Sequence, residues 1–150
     1  MEDINIENIK ITEGYIESEY EEICNNLYQY NVNASKKLLS KPGKDINLYL
    51  RDESGKAIGG LFCETWLYGL YLDVFWIDEN YRHKGYGILM LTEAERQGKE
   101  LGCTFAHTCT FSYQSLNFYV NAGYEIFGIN DEYPDGIKQY FLKKKLKEVS

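Results

Sequence analysis

The chain has 150 residues, of which 44% are hydrophobic, and this length is enough for one domain, residues 1–150, with a sizeable core. Its net charge of -7 argues against nucleic acid as the main partner, because phosphate contacts need a basic surface. The first residues show no basic region before an apolar run, and no apolar stretch approaches the length of a membrane span, so neither a signal peptide nor a membrane partner is expected.

The spacing of apolar residues predicts strands and helices in alternation along the chain. The strands are predicted at residues 4–11, 46–51, 56–66, 70–77, 104–111, 124–130 and 137–146, and the helices at 16–30, 35–40, 88–101 and 114–122. The run 70–77 is too apolar to have one face in water, which indicates a central strand. The helix at 88–101 is expected to bury five residues: Met90, Leu91, Ala94, Gly98 and Leu101. We therefore expect an α/β fold with a mixed sheet flanked by helices.

The segment Arg82-His83-Lys84-Gly85-Tyr86-Gly87 is the most informative part of the chain. It lies between the predicted central strand and a predicted helix. Unpaired backbone N–H groups and the helix dipole attract anions at such a position. Glycines at 85 and 87 permit positive φ and close backbone approach, as a nest around phosphate requires. The segment predicts a site for a pyrophosphate-bearing ligand, although a plain strand-to-helix turn would need the same glycines.

Two motifs of the chain resemble those of the GNAT acyltransferase superfamily. The family signature, Gln/Arg-x-x-Gly-x-Gly/Ala after the fourth strand, is matched by Arg82 to Gly87. A Tyr in the last short helix, followed by a Gly-aromatic pair, is matched by Tyr119 and by Gly123-Tyr124. The resemblance covers about residues 46–146. It implies a mixed, mostly antiparallel sheet of about six to seven strands flanked by about four helices.

The resemblance also implies acetyl-CoA as the cosubstrate. Backbone N–H groups of residues 83–88 would bind its pyrophosphate, and the exposed backbone of the fourth strand would pair with the pantetheine amides. The side chain of Arg82 would either bond phosphate or hold the loop, and both alternatives stay open. The implied cofactor-binding residues are Phe75, Trp76, Ile77, Arg82, His83, Lys84, Gly85, Tyr86, Gly87, Ile88, Ser112 and Asn117.

Direct attack of an amine on the thioester needs a base, a donor for the oxyanion and an acid for the departing thiolate. The resemblance implies Tyr119 as the acid and a backbone N–H near Ile77 as the oxyanion donor. Because a phenol has a pKa of ~10 and a thiol of ~8.5, Tyr119 is expected to assist the reaction without being indispensable. For the base we favour Asp73, which alternation places on the strand face of Tyr71 and Phe75. Three further candidates remain open: Glu64, Glu132 and Tyr133.

The expected activity is that of an N-acetyltransferase acting on a small-molecule or peptide amine. The main alternative is a non-catalytic module of the same fold that binds acyl-CoA as a sensor. A nicotinamide dehydrogenase is disfavoured, since position 90, where a third glycine would be needed, is Met90. The four cysteines form no CxxC pair, which predicts free thiols in the cytoplasm and no metal site. A homodimer is one assembly that the resemblance allows.

Overall fold

In the computed structural model, a six-stranded mixed sheet forms the centre of the larger of two units, residues 42–150. The structure describes residues 2, 4–36 and 43–146. The smaller unit, residues 1–41, is described by itself. The prediction that all 150 residues form one domain stays a prediction.

The part of the smaller unit that the structure describes contains a short hairpin and one α-helix. Strand β1 (Ile4–Ile6) pairs antiparallel with β2 (Ile9–Ile11), and helix α1 runs over Glu17–Ala34. The single strand predicted over 4–11 is therefore wrong, because Glu7 and Asn8 take positive φ angles of 48° and 69° and reverse the chain. The helix predicted at 35–40 begins in a turn at residues 35–36, and its remainder lies outside the described residues.

In its described residues, 43–146, the larger unit carries the sheet and two α-helices. Its strands are β3 (Ile46–Arg51), β4 (Ala57–Trp66), β5 (Gly69–Ile77), β6 (Phe105–Phe111), β7 (Glu125–Asn130) and β8 (Gln139–Lys145). Helix α2 (Tyr86–Glu100) connects β5 to β6, and helix α3 (Leu116–Asn121) connects β6 to β7. The strand order is β3-β4-β5-β6-β8-β7, in which only β5 and β6 are parallel. This arrangement confirms the predicted mixed, mostly antiparallel α/β sheet.

Strands β5 and β6 separate after a short parallel contact. The pairing joins Gly69–Tyr71 to Phe105–His107, and the rest of β5 has no β6 partner in the described residues. Asp73 is the extra residue of a β-bulge, because Leu72 pairs with Cys63 while Val74 pairs with Phe62. The prediction of a strand buried on both faces is therefore correct only for its first half. Beyond Leu72, the side chains of Asp73, Val74 and Trp76 are exposed.

Helix α2 packs its apolar face on the sheet and closes the core. Met90, Leu91, Ala94 and Gly98 are buried as predicted. Leu101 was predicted to be buried too, but it is 45% exposed because the helix ends at Glu100 and Leu101 is its C-cap. In its place the helix buries Glu95, a charged residue that the hydrophobic pattern did not include.

Candidate active site

The chain between β5 and α2 forms a tight loop with two left-handed residues. A 3-10 turn over Glu79–Tyr81 is capped by the Asp78 carboxylate, which accepts a bond of 2.9 Å from the N–H of Asn80. His83 and Gly85 then take φ angles of 60° and 85°. Gly85 is the N-cap of α2 and offers no side chain to bond the first N–H groups of the helix.

The loop leaves a row of backbone N–H groups free. Within the described residues, no N–H group of residues 83–88 donates a hydrogen bond to a protein acceptor. A β-carbon at Gly85 would have no heavy atom within 4 Å, so the backbone there is open to an approaching ligand. Free N–H groups, left-handed φ and a helix N-terminus together meet the requirements of a pyrophosphate nest.

The second glycine of the motif has a different role from the one predicted. Gly87 is already part of α2 and does not have a positive φ. A β-carbon at this position would lie 3.1 Å from Cε2 of Phe118 on α3. Gly87 therefore allows α2 and α3 to pack closely beside the loop, and positive φ is required only at Gly85 and accepted at His83.

The Arg82 side chain holds the end of β5. Its Nε donates a 2.7 Å hydrogen bond to the carbonyl oxygen of Ile77. This bond agrees with the loop-holding role, and the other guanidinium nitrogens of Arg82, which lines both cavities described below, leave phosphate binding as a prediction.

Two cavities lie along the gap between β5 and β6 and share several lining residues. Their volumes are about 560 and 370 Å³, in the range of small-ligand sites. The larger is lined by Phe75, Trp76, Ile77, Tyr81, Arg82, His83, Gly85, Tyr86, Gly87, Ile88, Ser115, Phe118, Tyr119 and Asn121. The smaller is lined by Leu72, Asp73, Phe75, Trp76, Ile77, Arg82, Thr108, Cys109, Thr110, Tyr113, Gln114, Ser115 and Tyr119.

Tyr119 lies where the two cavities meet. Its side chain is only 6% exposed, and burial raises its pKa to about 12. The nearby Thr108 hydroxyl opposes that rise in pKa by hydrogen bonding, while Cys63 and Cys109 add to it. Thr108 itself donates a 2.8 Å bond to the Leu72 carbonyl, which bridges β5 and β6 just beyond their last paired residues. The phenol is thus a neutral proton donor at ordinary pH.

Among the candidate bases, Asp73 alone lines a cavity. It lies at the bulge. The prediction that Tyr71, Asp73 and Phe75 alternate onto one strand face is wrong, because the bulge changes the alternation. Tyr71 pairs with exposed Glu64, whereas Phe75 pairs with buried Leu61. Tyr71 and Phe75 therefore point to opposite faces of the sheet, so Asp73 cannot share one face with both.

The other candidate bases have different surroundings. Glu64 and Glu132 are exposed and line neither cavity. The Tyr133 hydroxyl donates a 3.0 Å bond to Gln139.

Three predicted cofactor-binding residues lie outside the cavity walls: Lys84, Ser112 and Asn117. Ser112 instead joins two loops, because its N–H donates to the Lys138 carbonyl and its hydroxyl accepts from the Lys138 N–H. The ammonium of Lys84 lies 5.7 Å from the ring centre of Tyr81.

Several wall residues were not identified from the sequence as ligand-binding residues. The cavity-lining residues that the sequence did not single out are Leu72, Tyr81, Thr108, Cys109, Thr110, Tyr113, Gln114, Ser115, Phe118 and Asn121. Eight of the ten belong to β6, to α3 or to the turn between them, so this segment between the two motifs was the available signal.

Neither a metal site nor a membrane-spanning helix is found among the residues that the structure describes. No group of three or more histidine, cysteine or acidic side chains is placed to bind a metal ion. In the same part of the chain, no helix is both long and apolar enough to cross a membrane.

Comparisons with known proteins agree with this geometry. The sequence model of the Acetyltransferase (GNAT) family matches residues 9–124. A blasticidin-S acetyltransferase of Streptomyces morookaense is 32% identical over 108 residues, which cover 71% of this chain and 79% of that protein. The crystal structure of an acetyltransferase from Bacillus cereus superposes with a TM-score of 0.82 at 35% identity, covering 91% of this chain and 98% of the other.

A more distant relative was solved with a bound ligand. A Bacillus anthracis protein assigned to the streptothricin acetyltransferases was solved in complex with acetyl coenzyme A. It aligns with a TM-score of 0.63 at 18% identity, over 75% of this chain and 68% of that one, which shows a shared fold. The family match and the closer relatives confirm that this chain is an acetyltransferase of the GNAT family, with acetyl-CoA as its cosubstrate.

Proposed function

We propose that this acetyltransferase moves the acetyl group of acetyl-CoA directly to a primary amine of a small molecule, with Tyr119 as the general acid. The observation that carries the proposal is the position of Tyr119. Its buried phenol lines both cavities, one beside the free N–H groups of the glycine loop and the other beside Asp73. A donor thioester and an amine acceptor can approach such a phenol from two sides.

We assign the larger cavity to acetyl-CoA. The N–H groups of residues 83–88 would bind the pyrophosphate, with charge-assisted bonds worth roughly 1.5–3 kcal/mol each. The part of the β5 edge beyond Leu72, which pairs with no strand in the described residues, would take the pantetheine amides as an added strand. A backbone N–H near Ile77 would stabilise the oxyanion. When bound, acetyl-CoA supplies the thioester that is cleaved.

We assign the smaller cavity to the acceptor. Its walls carry one carboxylate, Asp73, together with hydroxyl and amide groups of Thr110, Tyr113 and Gln114. A carboxylate attracts a protonated amine and, through water, can take its proton, since an ammonium group has no lone pair for attack. The 32% identity to a protein named as a blasticidin-S acetyltransferase supports a small-molecule acceptor over a peptide.

The proposal is tested by incubating the purified chain with acetyl-CoA and a panel of small amines. Release of the CoA thiol and a gain of one acetyl group on the amine, measured by mass spectrometry, are expected only when both substrates are present. The protein mass should not change with acetyl-CoA alone, because transfer is direct. If acetyl-CoA binds but no primary amine in a broad panel is acetylated, the chain serves as a binding module and the proposal fails.

A further inference from the structure

An ion pair between a buried carboxylate and a partly exposed ammonium group takes no part in the chemistry described so far. Glu95 of α2 is 7% exposed, and its two carboxylate oxygens accept bonds of 2.8 and 3.0 Å from Nζ of Lys144 on β8. The same carboxylate accepts a 3.4 Å bond from the hydroxyl of Tyr124, which is 3% exposed. These three side chains join α2, β8 and the start of β7.

Tyr124 connects this cluster to Tyr119. The two rings meet nearly edge to face, with centroids 5.7 Å apart and an interplanar angle of 71°. The N–H of Tyr124 also donates a 2.9 Å bond to the Tyr119 carbonyl. The Tyr119 ring also contacts Phe118, which packs on Gly87 at the cofactor loop. Two ring contacts therefore constrain the orientation of the phenol.

Helix α3 alone cannot fix that orientation. It has six residues, fewer than two full turns, and helices of this length depend on tertiary contacts for their order. A buried ion pair is also not a general source of stability, since apolar replacements are often as stable or more stable. We therefore explain the presence of Glu95 and Lys144 by the position in which they hold the Tyr124 side chain, and not by a gain in folding stability.

We propose that Tyr124 is a positioning residue for Tyr119, held by the Glu95–Lys144 pair. The proposal rests on the proposed function, because it gives the pair a purpose only if Tyr119 donates a proton during acetyl transfer. Loss of the Tyr124 hydroxyl frees the ring to shift, and the Tyr119 phenol shifts with it. A misplaced acid slows the chemical step without weakening substrate binding.

The first test is Tyr124→Phe, which keeps the ring and removes the bond to Glu95. We expect kcat to fall about tenfold, with the KM for acetyl-CoA and the melting temperature nearly unchanged. Tyr140→Phe is the matched control, because Tyr140 is another tyrosine packed against the same core, and it should keep wild-type kcat. In a Tyr119→Phe background, Tyr124→Phe should cause no further loss, since the acid that it positions is gone.

A second pair of variants tests the carboxylate. Glu95→Gln keeps an oxygen that can accept from Tyr124 and should retain most of the turnover. Glu95→Leu removes the acceptor and should reproduce the kcat loss of Tyr124→Phe. A Tyr124→Phe enzyme with wild-type kcat, or one that loses activity equally in the Tyr119→Phe background, would overturn the positioning role. If Tyr119→Phe alone leaves turnover intact, the acid role in the proposed function fails, and that comparison involves no change at position 124.

Discussion

Tyr119→Phe removes the proposed acid and leaves the buried ring in place. The pKa of Tyr119 is raised to about 12 by burial, whereas a free thiol has a pKa of ~8.5. Complete proton transfer to the thiolate is therefore uphill by ~3.5 units, or ~5 kcal/mol. Tyr119 is thus expected to act mainly as a strong hydrogen-bond donor to the developing charge on sulfur. Such a bond contributes roughly 1.5–3 kcal/mol, so kcat should fall about 10-fold to 100-fold.

The assay is thiol release at saturating acetyl-CoA and amine, followed from pH 7 to pH 10. Calorimetric affinity for acetyl-CoA should stay within about twofold of wild type, because uniform binding is not changed by this substitution. Since Tyr119 stays protonated up to a pKa of about 12, it should produce no alkaline fall in kcat within this pH range. A kcat within twofold of wild type would refute the acid role. So would an alkaline limb near pH 9 that disappears in the variant, since the phenol would then titrate far below the value that its burial requires.

Three further predictions concern the loop, the acceptor cavity and the core. Gly87→Val should weaken acetyl-CoA binding roughly 5-fold to 150-fold by calorimetry, because overpacking against Phe118 costs ~1–3 kcal/mol. Gly128→Ala, where the new β-carbon makes only ordinary contacts, should bind normally. Asp73→Asn should raise the KM of a cationic amine roughly tenfold and leave acetyl-CoA affinity unchanged, and equal effects on both substrates would contradict its place in the acceptor cavity. Burial raises the pKa of Cys63 from 9.0 to about 12, so only the unfolded chain loses this proton as the pH rises through 9, and folding is destabilised there. In urea unfolding, the free energy of unfolding should be lower at pH 10.5 than at pH 9, with about 2 kcal/mol of the decrease due to this thiol. The decrease should be smaller in Cys63→Ala.

The regular elements of the larger unit could be predicted from local sequence. Strands β3, β4 and β6 lie within a residue of their predicted bounds, because each is a run of apolar or alternating residues ended by turn residues. The loop before α2 was identified for a similar reason, since its glycines and the apolar strand before them are local signals. The early hairpin was missed because Glu7 and Asn8 form its turn without glycine.

Features that depend on contacts between residues far apart in the chain could not be predicted from the sequence. The bulge at Asp73 arises from the registers in which β4 and β6 pair with β5, and no residue near it marks the extra position. Ser112 is predicted to contact the cofactor, and the sequence did not indicate that it also bonds the main chain of Lys138, a contact between residues 26 positions apart. The burial of Glu95 likewise follows from Lys144, which lies on a strand 49 residues later.

The bond from Arg82 to Ile77 explains how one site can bind two distant parts of the same cosubstrate. Ile77 ends the strand whose free edge is proposed to take the pantetheine arm, and Arg82 begins the loop whose N–H groups are proposed to take the pyrophosphate. The 2.7 Å bond between them fixes the distance between the two binding surfaces before any ligand arrives. Less conformational freedom is then lost on binding, which is the basis of affinity gained by preorganisation. The arginine of the motif thus acts on the protein's own backbone, and an uncharged donor of similar length at position 82 would retain this function where alanine would lose it.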